Sequence, residues 1–511
     1  MLASGGFAAD QFTPPTSPPN IVFVLADDLG IGDVSCYNSK SAWPTPHLDA
    51  LARGGMRFTD AHSASSLCTP ARYALLTGRY AWRGRLKQDV LQGYDPPLIE
   101  AGRHTVATLL REHGYATAAF GKWHLGLDWA RTGPALENVD FAQPFANGPL
   151  RYGFDRFFGI SASLDMPPYV WLANDRATAV PTGTVADSPV PKLWRAGPIG
   201  PDFKMEDVQP RLIDQSIAFF AERAATRDAK PFFLYLPLAA PHTPILPTRE
   251  FEGKTHTTSY GDFVTQVDAD VGRLLAALEK HGLANNTLII FSSDNGFAPA
   301  ADVPAHAKFN HDPSAGYRGY KSDLFEGGHR IPFIARWPAV IKAGTTTCAL
   351  VEQLDLFATC AEILGAQLPA TAAEDSVSFL PLLRGEKPPS SARVTLVAHS
   401  KEGRFSIRDG RWKLLLWPGS GGWSSPTPSP GQWLKVERTD LATLPPFQLY
   451  DLIADPAEKI NLAAAQPEIV QRLGRRLRAD IERGRSTPGA PQPVVLDSSW
   501  AQVSWFASFP R

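Results

Sequence analysis

Residues 20–28 read Asn-Ile-Val-Phe-Val-Leu-Ala-Asp-Asp, an apolar run that ends in two acidic side chains. A short continuous apolar run followed by polar residues is typical of a strand buried on both faces of a parallel sheet. Asp27 and Asp28 would then lie at the carboxyl end of that strand, where open α/β sheets bind their ligands. This stretch predicts an α/β fold with a site at one edge of its sheet.

Three further stretches share this arrangement of a buried strand followed by polar, ionisable residues. They are residues 116–120 leading into Gly121-Lys122-Trp123-His124, residues 232–236 leading into Ala240-Pro241-His242, and residues 288–291 leading into Ser292-Ser293-Asp294-Asn295-Gly296. Segments with helical periodicity, such as 106–113 and 261–281, lie between the strands. We therefore expect a large mixed, mostly parallel sheet sandwiched by helices, with the four polar strand ends close together.

Charge and hydropathy argue against two broad classes of protein. The 511 residues carry 50 basic and 51 acidic side chains, a formal net charge of −1. This balance gives no general attraction to nucleic acid or to an anionic membrane surface. Apolar runs such as 21–26 and 232–240 are far shorter than the roughly 20 residues that a membrane-spanning helix needs. We expect neither a nucleic-acid partner nor a membrane span.

The cysteines do not suggest a disulfide scaffold or a zinc site. Cys36, Cys68, Cys348 and Cys360 are the four cysteines of the chain, and their spacing fits no zinc-finger pattern. The sequence leaves open whether Cys348 pairs with Cys360. The N-terminus lacks the basic and long apolar regions of a signal peptide, although residues 4–20 could be a trimmed mature end.

Leu67-Cys68-Thr69-Pro70-Ala71-Arg72, followed by Leu76-Thr77-Gly78-Arg79, is the stretch richest in unusual residues. Pro70 and Gly78 bracket a short helix, which places Cys68 at the helix N-terminus, where negative charge is favoured. Taken alone, Cys68 is either a small buried side chain beside a helix cap or a thiolate nucleophile of low pKa. Neither interpretation explains the Pro, Arg and Thr-Gly-Arg that accompany it.

Cys68-x-Pro70-x-Arg72 with Leu76-Thr77-Gly78-Arg79 resembles the signature of type I sulfatases, which belong to the alkaline-phosphatase superfamily. The resemblance covers nearly the whole chain, in order, through Asn20-Ile21-Val22, Gly121-Lys122-Trp123-His124, Pro241-His242, Ser293-Asp294-Asn295-Gly296, Gly319-Tyr320-Lys321, Glu326-Gly327-Gly328 and Leu449-Tyr450-Asp451-Leu452. It implies an alkaline-phosphatase-like fold and a sulfuric ester hydrolase. Ala71 stands where many relatives have Ser, but the core Cys-x-Pro-x-Arg is intact.

The resemblance implies a modified cysteine and a divalent metal. In the family the cysteine is oxidised to formylglycine (3-oxoalanine), so conversion of Cys68 by a formylglycine-generating enzyme is expected. Asp27, Asp28, Asp294 and Asn295 resemble the metal ligands, and residue 68 would complete the set. These oxygen donors suit Ca²⁺, or alternatively Mg²⁺, and argue against zinc. Either pair of side chains alone is more typical of turn or helix capping, whereas the two pairs together on one sheet edge favour a metal.

The resemblance also implies roles for charged side chains near the nucleophile. One hydroxyl of the aldehyde hydrate would attack sulfur, and a sulfated-enzyme intermediate would follow. Lys122, His242 and Lys321 would clamp and bind the sulfuryl group, and Arg72 would hold the formylglycine oxygen. His242 is the candidate acid for the leaving oxygen, with Lys321 as a second. His124 resembles the base that expels sulfate.

Substrate specificity is expected in the loops between these motifs, at 147–158, 161–175 and 299–317. Asp165-Met166-Pro167-Pro168-Tyr169-Val170 resembles a segment of bacterial glycan sulfatases that act on galactose or N-acetylgalactosamine 6-sulfates. Asp165 is therefore a candidate substrate ligand, although the same residues could form a rigid loop that only supports the cleft. Trp123 and Trp129 could stack on a sugar or pack in the core.

The resemblance and the patterning together divide the chain. Residues 1–19, rich in Pro, Thr and Ser, are predicted to be a mobile leader, and 20–388 to form the catalytic sulfatase domain. A boundary rich in Gly, Pro and Ser precedes residues 389–511. These contain a strand pair around the turn Asp409-Gly410 and a late amphipathic helix, which predict a C-terminal α+β subdomain with an antiparallel sheet.

Three functions are compatible with these residues. The first is a sulfatase that releases sulfate from a carbohydrate of the galactose or N-acetylgalactosamine 6-sulfate type. The second is a phosphonate or phosphate ester hydrolase of the same superfamily, and the third is a non-catalytic glycan- or Ca²⁺-binding protein in which Cys68 stays a thiol. The complete set of metal and acid/base residues favours the sulfatase. By analogy with polysaccharide-degrading enzymes it would be periplasmic or secreted. The oligomeric state is left open.

Overall fold

The strands form one large sheet and three smaller ones. The computed structural model describes residues 17–226, 230–428, 433–494 and 500–510, so most of the predicted leader lies outside the described residues. The strands are β1 (Asn20–Ala26), β2 (Met56–Phe58), β3 (Ala61–His62), β4 (Ala116–Lys122), β5 (Arg156–Ile160), β6 (Leu172–Ala173), β7 (Arg176–Ala177), β8 (Gly183–Val185), β9 (Gly197–Ile199), β10 (Phe232–Pro237), β11 (Thr287–Ser293), β12 (Phe333–Arg336), β13 (Thr345–Thr347), β14 (Val351–Glu352), β15 (Thr395–His399), β16 (Phe405–Asp409), β17 (Trp412–Leu415) and β18 (Gln448–Asp451).

The helices alternate with these strands, as the sequence predicts. They are α1 (Pro46–Arg53), α2 (Cys68–Thr77), α3 (Val106–Glu112), α4 (Val208–Ala225), α5 (Ser259–Lys280), α6 (Val303–Ala307), α7 (Glu326–His329), α8 (Leu356–Leu364), α9 (Leu380–Leu383) and α10 (Pro467–Glu482). The predicted bounds of α3 and α5 are correct to within two residues, and Thr105 caps α3 by accepting from the backbone N–H of Thr108. Among the described residues, none of the helices combines the length and apolar character that a bilayer crossing requires.

The large sheet has the strand order β13-β2-β12-β11-β1-β10-β4-β5-β6-β7. The central strands β11, β1, β10, β4 and β5 run parallel, while antiparallel pairs occur toward both edges. Along β1, side chains 21, 23 and 25 enter one core with α2, α3 and α8, and side chains 22, 24 and 26 enter another with α1, α4 and α5. The predicted sheet sandwiched by helices is therefore confirmed.

A four-stranded antiparallel sheet, β15-β16-β17-β18, follows in the C-terminal part and packs on α10. The predicted turn in this sheet is displaced by one residue. Asp409 belongs to β16 and pairs with Trp412, so the chain reverses at Gly410-Arg411, where Gly410 has a φ of 58°. The sequence signal located the hairpin correctly, and the ladder pairing decides which residues make the turn.

All four cysteines are free in the structure. Cys348 is exposed and Cys360 is buried, so the pairing that the sequence leaves open is not formed.

A buried network of charged groups joins the C-terminal sheet to the large domain. Lys413, on β17, pairs with Glu326 at 3.0 Å and with Glu458 at 2.9 Å. It also lies 3.1 Å from Nε2 of His329, whose Nδ1 is 3.0 Å from Nδ1 of His62. Because two ring nitrogens face each other at hydrogen-bond distance, one must donate and the other accept. The arrangement needs an unprotonated nitrogen in this pair.

We expect this network to weaken in acid. Burial lowers the pKa of both His62 and His329, and for His329 the charge of Lys413 lowers it further. The two histidines therefore bind protons more readily in the unfolded chain than in the folded one. As the pH falls below about 6.5, the unfolding free energy decreases by up to about 1.4 kcal/mol per pH unit for each histidine. Unfolding free energies of His329→Gln, measured between pH 7.5 and 5.5, should fall less steeply than those of the wild type. The exposed-site variant His113→Gln should match the wild-type slope, and an unchanged slope in His329→Gln would contradict the assignment.

Candidate active site

Four neighbouring parallel strands bring the predicted polar residues together at one sheet edge. Strands β11, β1, β10 and β4 end side by side, and the residues that follow them face the same region. The structure thus gathers Asp27, Asp28, Lys122, His124, His242, Asp294 and Asn295, all of which are buried. The sequence-based expectation that these strand ends converge is correct.

Helix α2 delivers Cys68 to this edge. Cys68 is the first residue of α2, and Gly78 ends the helix with a φ of 62°. The Cys68 side chain is buried, and its Sγ lies 3.7 Å from Oδ1 of Asp27. Burial raises the pKa of the Cys68 thiol to about 12, despite the lysines nearby. A low-pKa thiolate nucleophile therefore does not fit this site.

The acidic groups form a compact, buried cluster. Ligand atoms of Asp27, Asp28, Cys68 and His242 all lie within 4.8 Å of one another. Burial would raise the pKa of Asp27, but the charges of Lys122 and other neighbouring cations hold it below its usual value. The pKa of Asp294 is raised by burial and by the charge of Asp27. Like charges this close are unfavourable unless a cation lies among them.

The donors in this cluster suit a hard divalent cation. Carboxylate and amide oxygens are the ligands that Ca²⁺ and Mg²⁺ prefer. The Asn295 amide nitrogen donates to Oδ1 of Asp28 at 2.7 Å, while Oδ1 of Asn295 is buried and has no hydrogen-bond partner among the described residues. A buried acceptor without a donor is costly in a folded protein. A cation among Asp27, Asp28 and Asn295 would satisfy it, so the predicted ligand set fits a metal.

Three basic side chains, those of Lys122, Lys321 and Arg72, surround the acidic cluster. Lys122 Nζ donates to Oδ2 of Asp27 at 2.5 Å, and Lys321 Nζ lies 2.7 Å from Oδ1 of Asp28. Burial disfavours the charged form of Lys321, but Asp28 outweighs this and raises the pKa of Lys321. Lys321 is therefore charged, and both lysines are held beside the cluster by these contacts, where they can bind an anionic substrate group.

Arg72 lies deeper than its predicted role requires. Its guanidinium donates twice to Oδ2 of Asp294, at 2.7 and 3.1 Å, and once to the backbone carbonyl of Lys122 at 3.1 Å. It also forms an ion pair with Asp27 at 3.5 Å. In this structure Arg72 orients carboxylates of the acidic cluster. A direct hold on an oxygen at residue 68 stays a prediction.

Two histidines flank Cys68 and have different hydrogen-bond partners. Nε2 of His124 donates to the backbone carbonyl of Leu91 at 2.7 Å, which leaves Nδ1 as the basic nitrogen. That Nδ1 is buried and unpartnered within the described chain, and burial with the charge of Lys122 lowers the pKa of His124 well below its usual value. Nε2 of His242 lies 3.4 Å from Oδ2 of Asp28. His124 is thus a neutral acceptor, and His242 is polarised by a carboxylate.

Ser163 belongs to this site and was missed in the sequence. Its hydroxyl accepts from Lys122 Nζ at 3.1 Å and lies 3.4 Å from Nδ1 of His242. The only available signal was its position in the loop 161–175, two residues before Asp165. A single serine in a loop carries no recognisable spacing, so sequence reasoning had no means to select it.

Asp165 lies at the wall of the same cavity. Arg195 Nη1 donates to Oδ2 of Asp165 at 2.5 Å and to its backbone carbonyl at 3.2 Å. The other carboxylate oxygen, Oδ1, is buried and has no partner among the residues described. Trp123 and Trp129, in contrast, are buried against other aromatic rings, so the alternative of core packing is correct for both.

The site opens into a cavity of about 380 Å³. Cys68, His124, Ser163, His242 and Lys321 line its base. Residues that the sequence did not single out also contribute to the wall, among them Asp89, Gln92, Leu193, Arg195, Lys401, Trp423 and Trp433. Of the three loops predicted to set specificity, 161–175 contributes most, and part of the wall comes from the C-terminal part of the chain.

Comparison with known proteins identifies the family. The model of the family described as Sulfatase matches residues 19–366. The chain belongs to the sulfatase family. This sulfatase is 34% identical to an N-acetylgalactosamine-6-O-sulfatase of Bacteroides thetaiotaomicron, over 89% of its own length and 91% of the relative's. It is 35% identical to human arylsulfatase A, over 89% of its own length and 86% of the relative's.

A solved structure has the same architecture. Its title concerns the metabolism of multiple glycosaminoglycans by Bacteroides thetaiotaomicron, and it is 33% identical with a TM-score of 0.78 over 90% of this sulfatase and 99% of that chain. The sheet, the helices on both faces and the C-terminal antiparallel sheet therefore belong to the alkaline-phosphatase-like fold of sulfatases. The protein is a sulfuric ester hydrolase.

Proposed function

We propose that this sulfatase hydrolyses a 6-sulfate ester of a galactose- or N-acetylgalactosamine-type carbohydrate, with a nucleophile made from Cys68. The observation that carries the proposal is the cavity base, where Cys68 lies among a buried acidic cluster, two charged lysines and two histidines. The relative named N-acetylgalactosamine-6-O-sulfatase, similar over most of both chains, supports the choice of substrate class.

Cys68 would be converted to formylglycine by a formylglycine-generating enzyme. The raised pKa of the Cys68 thiol supports conversion, because a buried neutral thiol is a poor nucleophile. Asp27, Asp28, Asp294 and Asn295 would hold Ca²⁺, or alternatively Mg²⁺, together with residue 68. The cation and the aldehyde hydrate together supply an acidified hydroxyl for attack on sulfur and a second hydroxyl for release of sulfate.

The remaining steps belong to side chains whose positions are described above. Lys122 and Lys321 neutralise sulfuryl oxygens, and Ser163 keeps Lys122 in reach of them. His124 accepts a proton at Nδ1, because Leu91 holds its other nitrogen in the protonated form. His242 protonates the leaving oxygen of the sugar. Arg72 orients Asp294 and Asp27 around the cation.

His242→Ala tests the acid role through the leaving group. A sugar alcohol is a poor leaving group and needs a proton, whereas a phenol leaves more easily without one. We expect kcat/KM to fall by about 10²–10³-fold for N-acetylgalactosamine 6-sulfate and by less than about tenfold for a nitrophenyl sulfate. Steady-state sulfate release from the two substrates gives the comparison. Equal losses for both would contradict the assignment of His242 as the acid.

Sulfate release from N-acetylgalactosamine 6-sulfate, beside its 4-sulfate, tests the proposed function. The protein is co-expressed with a formylglycine-generating enzyme, and the mass of the peptide around Cys68 reports its conversion. Release from the 6-sulfate alone would support both the chemistry and the role of Asp165. Release from neither sugar by converted protein would refute the proposed substrate. An unconverted but calcium-binding or glycan-binding protein would favour the non-catalytic alternative, and preference for an aryl phosphonate would favour the phosphonate hydrolase.

The natural partner would be a sulfated carbohydrate, which fits a periplasmic or secreted enzyme. Asp165 would recognise a sugar hydroxyl, since Asp165 lines the cavity, its Oδ1 has no partner among the described residues, and Arg195 fixes the carboxylate. Burial opposes ionisation, but His242 and Arg195 hold the pKa of Asp165 below its usual value, so it accepts rather than donates a hydrogen bond.

A further inference from the structure

The C-terminal part of the chain is fixed to the sulfate-binding side of the cavity through Ser322. Ser322 follows Lys321 and is buried with a φ of 83°, a conformation that few residues other than glycine adopt. The backbone N–H of Lys401 donates to the Ser322 carbonyl at 3.0 Å, and the backbone N–H of Trp423 donates to its hydroxyl at 3.0 Å. Two C-terminal loops therefore meet next to the lysine that contacts the acidic cluster.

The loop that contains Gly422 packs against Ser322 too closely for a side chain at residue 422. A Cβ on Gly422 would lie 2.4 Å from both the carbonyl oxygen and the hydroxyl of Ser322, so the loop approaches only because residue 422 is glycine. The backbone N–H of Ser424 also donates to Oδ1 of Asp323 at 3.0 Å. The backbone of Lys401 and of Trp423 is consequently fixed beside the cavity that both residues line.

The ion pair of Lys401 is longer and more exposed than the ion pairs of Lys321 and Arg195, two other cations of the cavity. Lys401 lies 3.3 Å from Asp89, and the two side chains are 34% and 52% exposed. The pairs of Lys321 with Asp28 and Arg195 with Asp165 are shorter, at 2.7 and 2.5 Å, and have buried carboxylates. An exposed ion pair contributes little to stability, because solvent screens the two charges. Lys401 can therefore exchange its partner for a ligand anion at little cost.

Trp423 adds a stacking surface beside this cation. Its side chain is half-buried and lines the same cavity as Lys401, on the C-terminal wall. An indole has few rotatable bonds and offers an apolar face at low entropic cost, which suits the C–H face of a pyranose ring. A fixed aromatic face with an exchangeable cation is a combination that recognises a charged sugar.

We propose that Lys401 and Trp423 form a subsite for an acidic pyranose linked to the sulfated sugar. Trp423 packs on the ring, and Lys401 pairs with an anionic group on it, either the carboxylate of a uronate or a second sulfate. This subsite rests on the function proposed above and restricts it, because the preferred substrate is then an acidic oligosaccharide instead of a free monosaccharide sulfate.

Two matched disaccharides test the subsite. Both carry N-acetylgalactosamine 6-sulfate, one linked to a glucuronate and the other to the same sugar with its carboxylate reduced to an alcohol. A third, with a second sulfate in place of the carboxylate, distinguishes the two sources of negative charge. For converted wild-type protein with Ca²⁺ we expect a KM about tenfold lower for the uronate than for the reduced compound, the effect of one charge-assisted contact.

Lys401→Gln should bring the ratio of these two KM values close to one. Trp423→Ala should raise both KM values by a similar factor and keep the ratio, since stacking does not depend on the charge. Lys459→Gln, which removes an exposed lysine outside the cavity, is the matched control and should keep the wild-type ratio. A ratio near one in the wild type, or an unchanged ratio in Lys401→Gln, would overturn the subsite.

Binding separates the subsite from the proposed function. The Kd values of the matched disaccharides for the Cys68→Ala protein, measured by calorimetry, need no turnover. In one outcome, the converted enzyme releases no sugar sulfate, but the Cys68→Ala protein binds the uronate more tightly and Lys401→Gln in this background removes that preference. The subsite then stands and the proposed function fails. If sulfate is released and the Kd values of the two disaccharides are equal, the subsite fails and the proposed function stands.

Discussion

Cys68→Ala is expected to abolish sulfate release and to leave the fold intact. The substitution removes the atom from which the nucleophile is made, so the rate should fall by at least about 10⁴-fold. It removes little volume, and the hydrogen bond of the Cys68 side chain to Asp27 is long, at 3.7 Å. Release of sulfate from N-acetylgalactosamine 6-sulfate, with circular dichroism and thermal unfolding of the same preparation, measures both expectations.

A second cysteine gives the control. Cys348 is free and exposed, so Cys348→Ala removes a thiol without approaching the site. This variant should keep wild-type turnover and wild-type stability. Residual activity of Cys68→Ala within about tenfold of the wild type would place the nucleophile on another residue.

Arg72→Leu is expected to damage both stability and turnover. The guanidinium is fully buried and satisfies Asp294 and Asp27 as well as the backbone carbonyl of Lys122. Its removal takes from the buried Asp294 its ion pair with Arg72 and leaves Asp27 with Lys122, and breaking a buried ion pair typically costs about 3–5 kcal/mol of unfolding free energy. The carboxylates would also lose their orientation around the cation, so turnover by the fraction that folds should fall as well. Urea unfolding and sulfate release report the two effects separately.

An exposed ion pair shows what burial contributes to this effect. Arg156 pairs with Glu222 at 2.9 Å, with side chains 47% and 53% exposed. Arg156→Leu should cost less than about 1 kcal/mol, because solvent screens the pair. Similar losses of unfolding free energy in Arg72→Leu and Arg156→Leu would mean that Arg72 does not stabilise the acidic cluster.

The strand ends could be predicted because local patterning and topology rules both apply to them. Each is a buried apolar run with an ionisable residue at or soon after its carboxyl end, as at Asp27 and His242, and parallel strands bring such ends to one edge. The base of the site was therefore accessible from the sequence. The short helix that starts at Cys68 could also be predicted, because Pro70 and Gly78 mark its two ends.

The wall of the cavity could not be predicted in the same way. Trp423 and Ser322 are 101 residues apart in the chain, and neither segment has a sequence pattern that predicts their contact. The contact depends on how the C-terminal sheet packs, which a linear pattern does not encode. The role of Arg72 illustrates a smaller limit: the sequence placed it at the site, but only the packing shows that its guanidinium serves Asp294.

The burial of Cys68 has a consequence for the order of events during biosynthesis. Its side chain is 2% exposed and lies at the start of a helix whose residues are all buried. A modifying enzyme therefore could not bind the Cys-Thr-Pro-Ala-Arg segment once the domain has folded. The proposed oxidation of Cys68 would then act on the extended chain, before α2 packs beneath the sheet edge. Under the proposed function, a chain that folded before this oxidation would keep an inactive thiol, so the yield of active enzyme would depend on the relative rates of folding and oxidation.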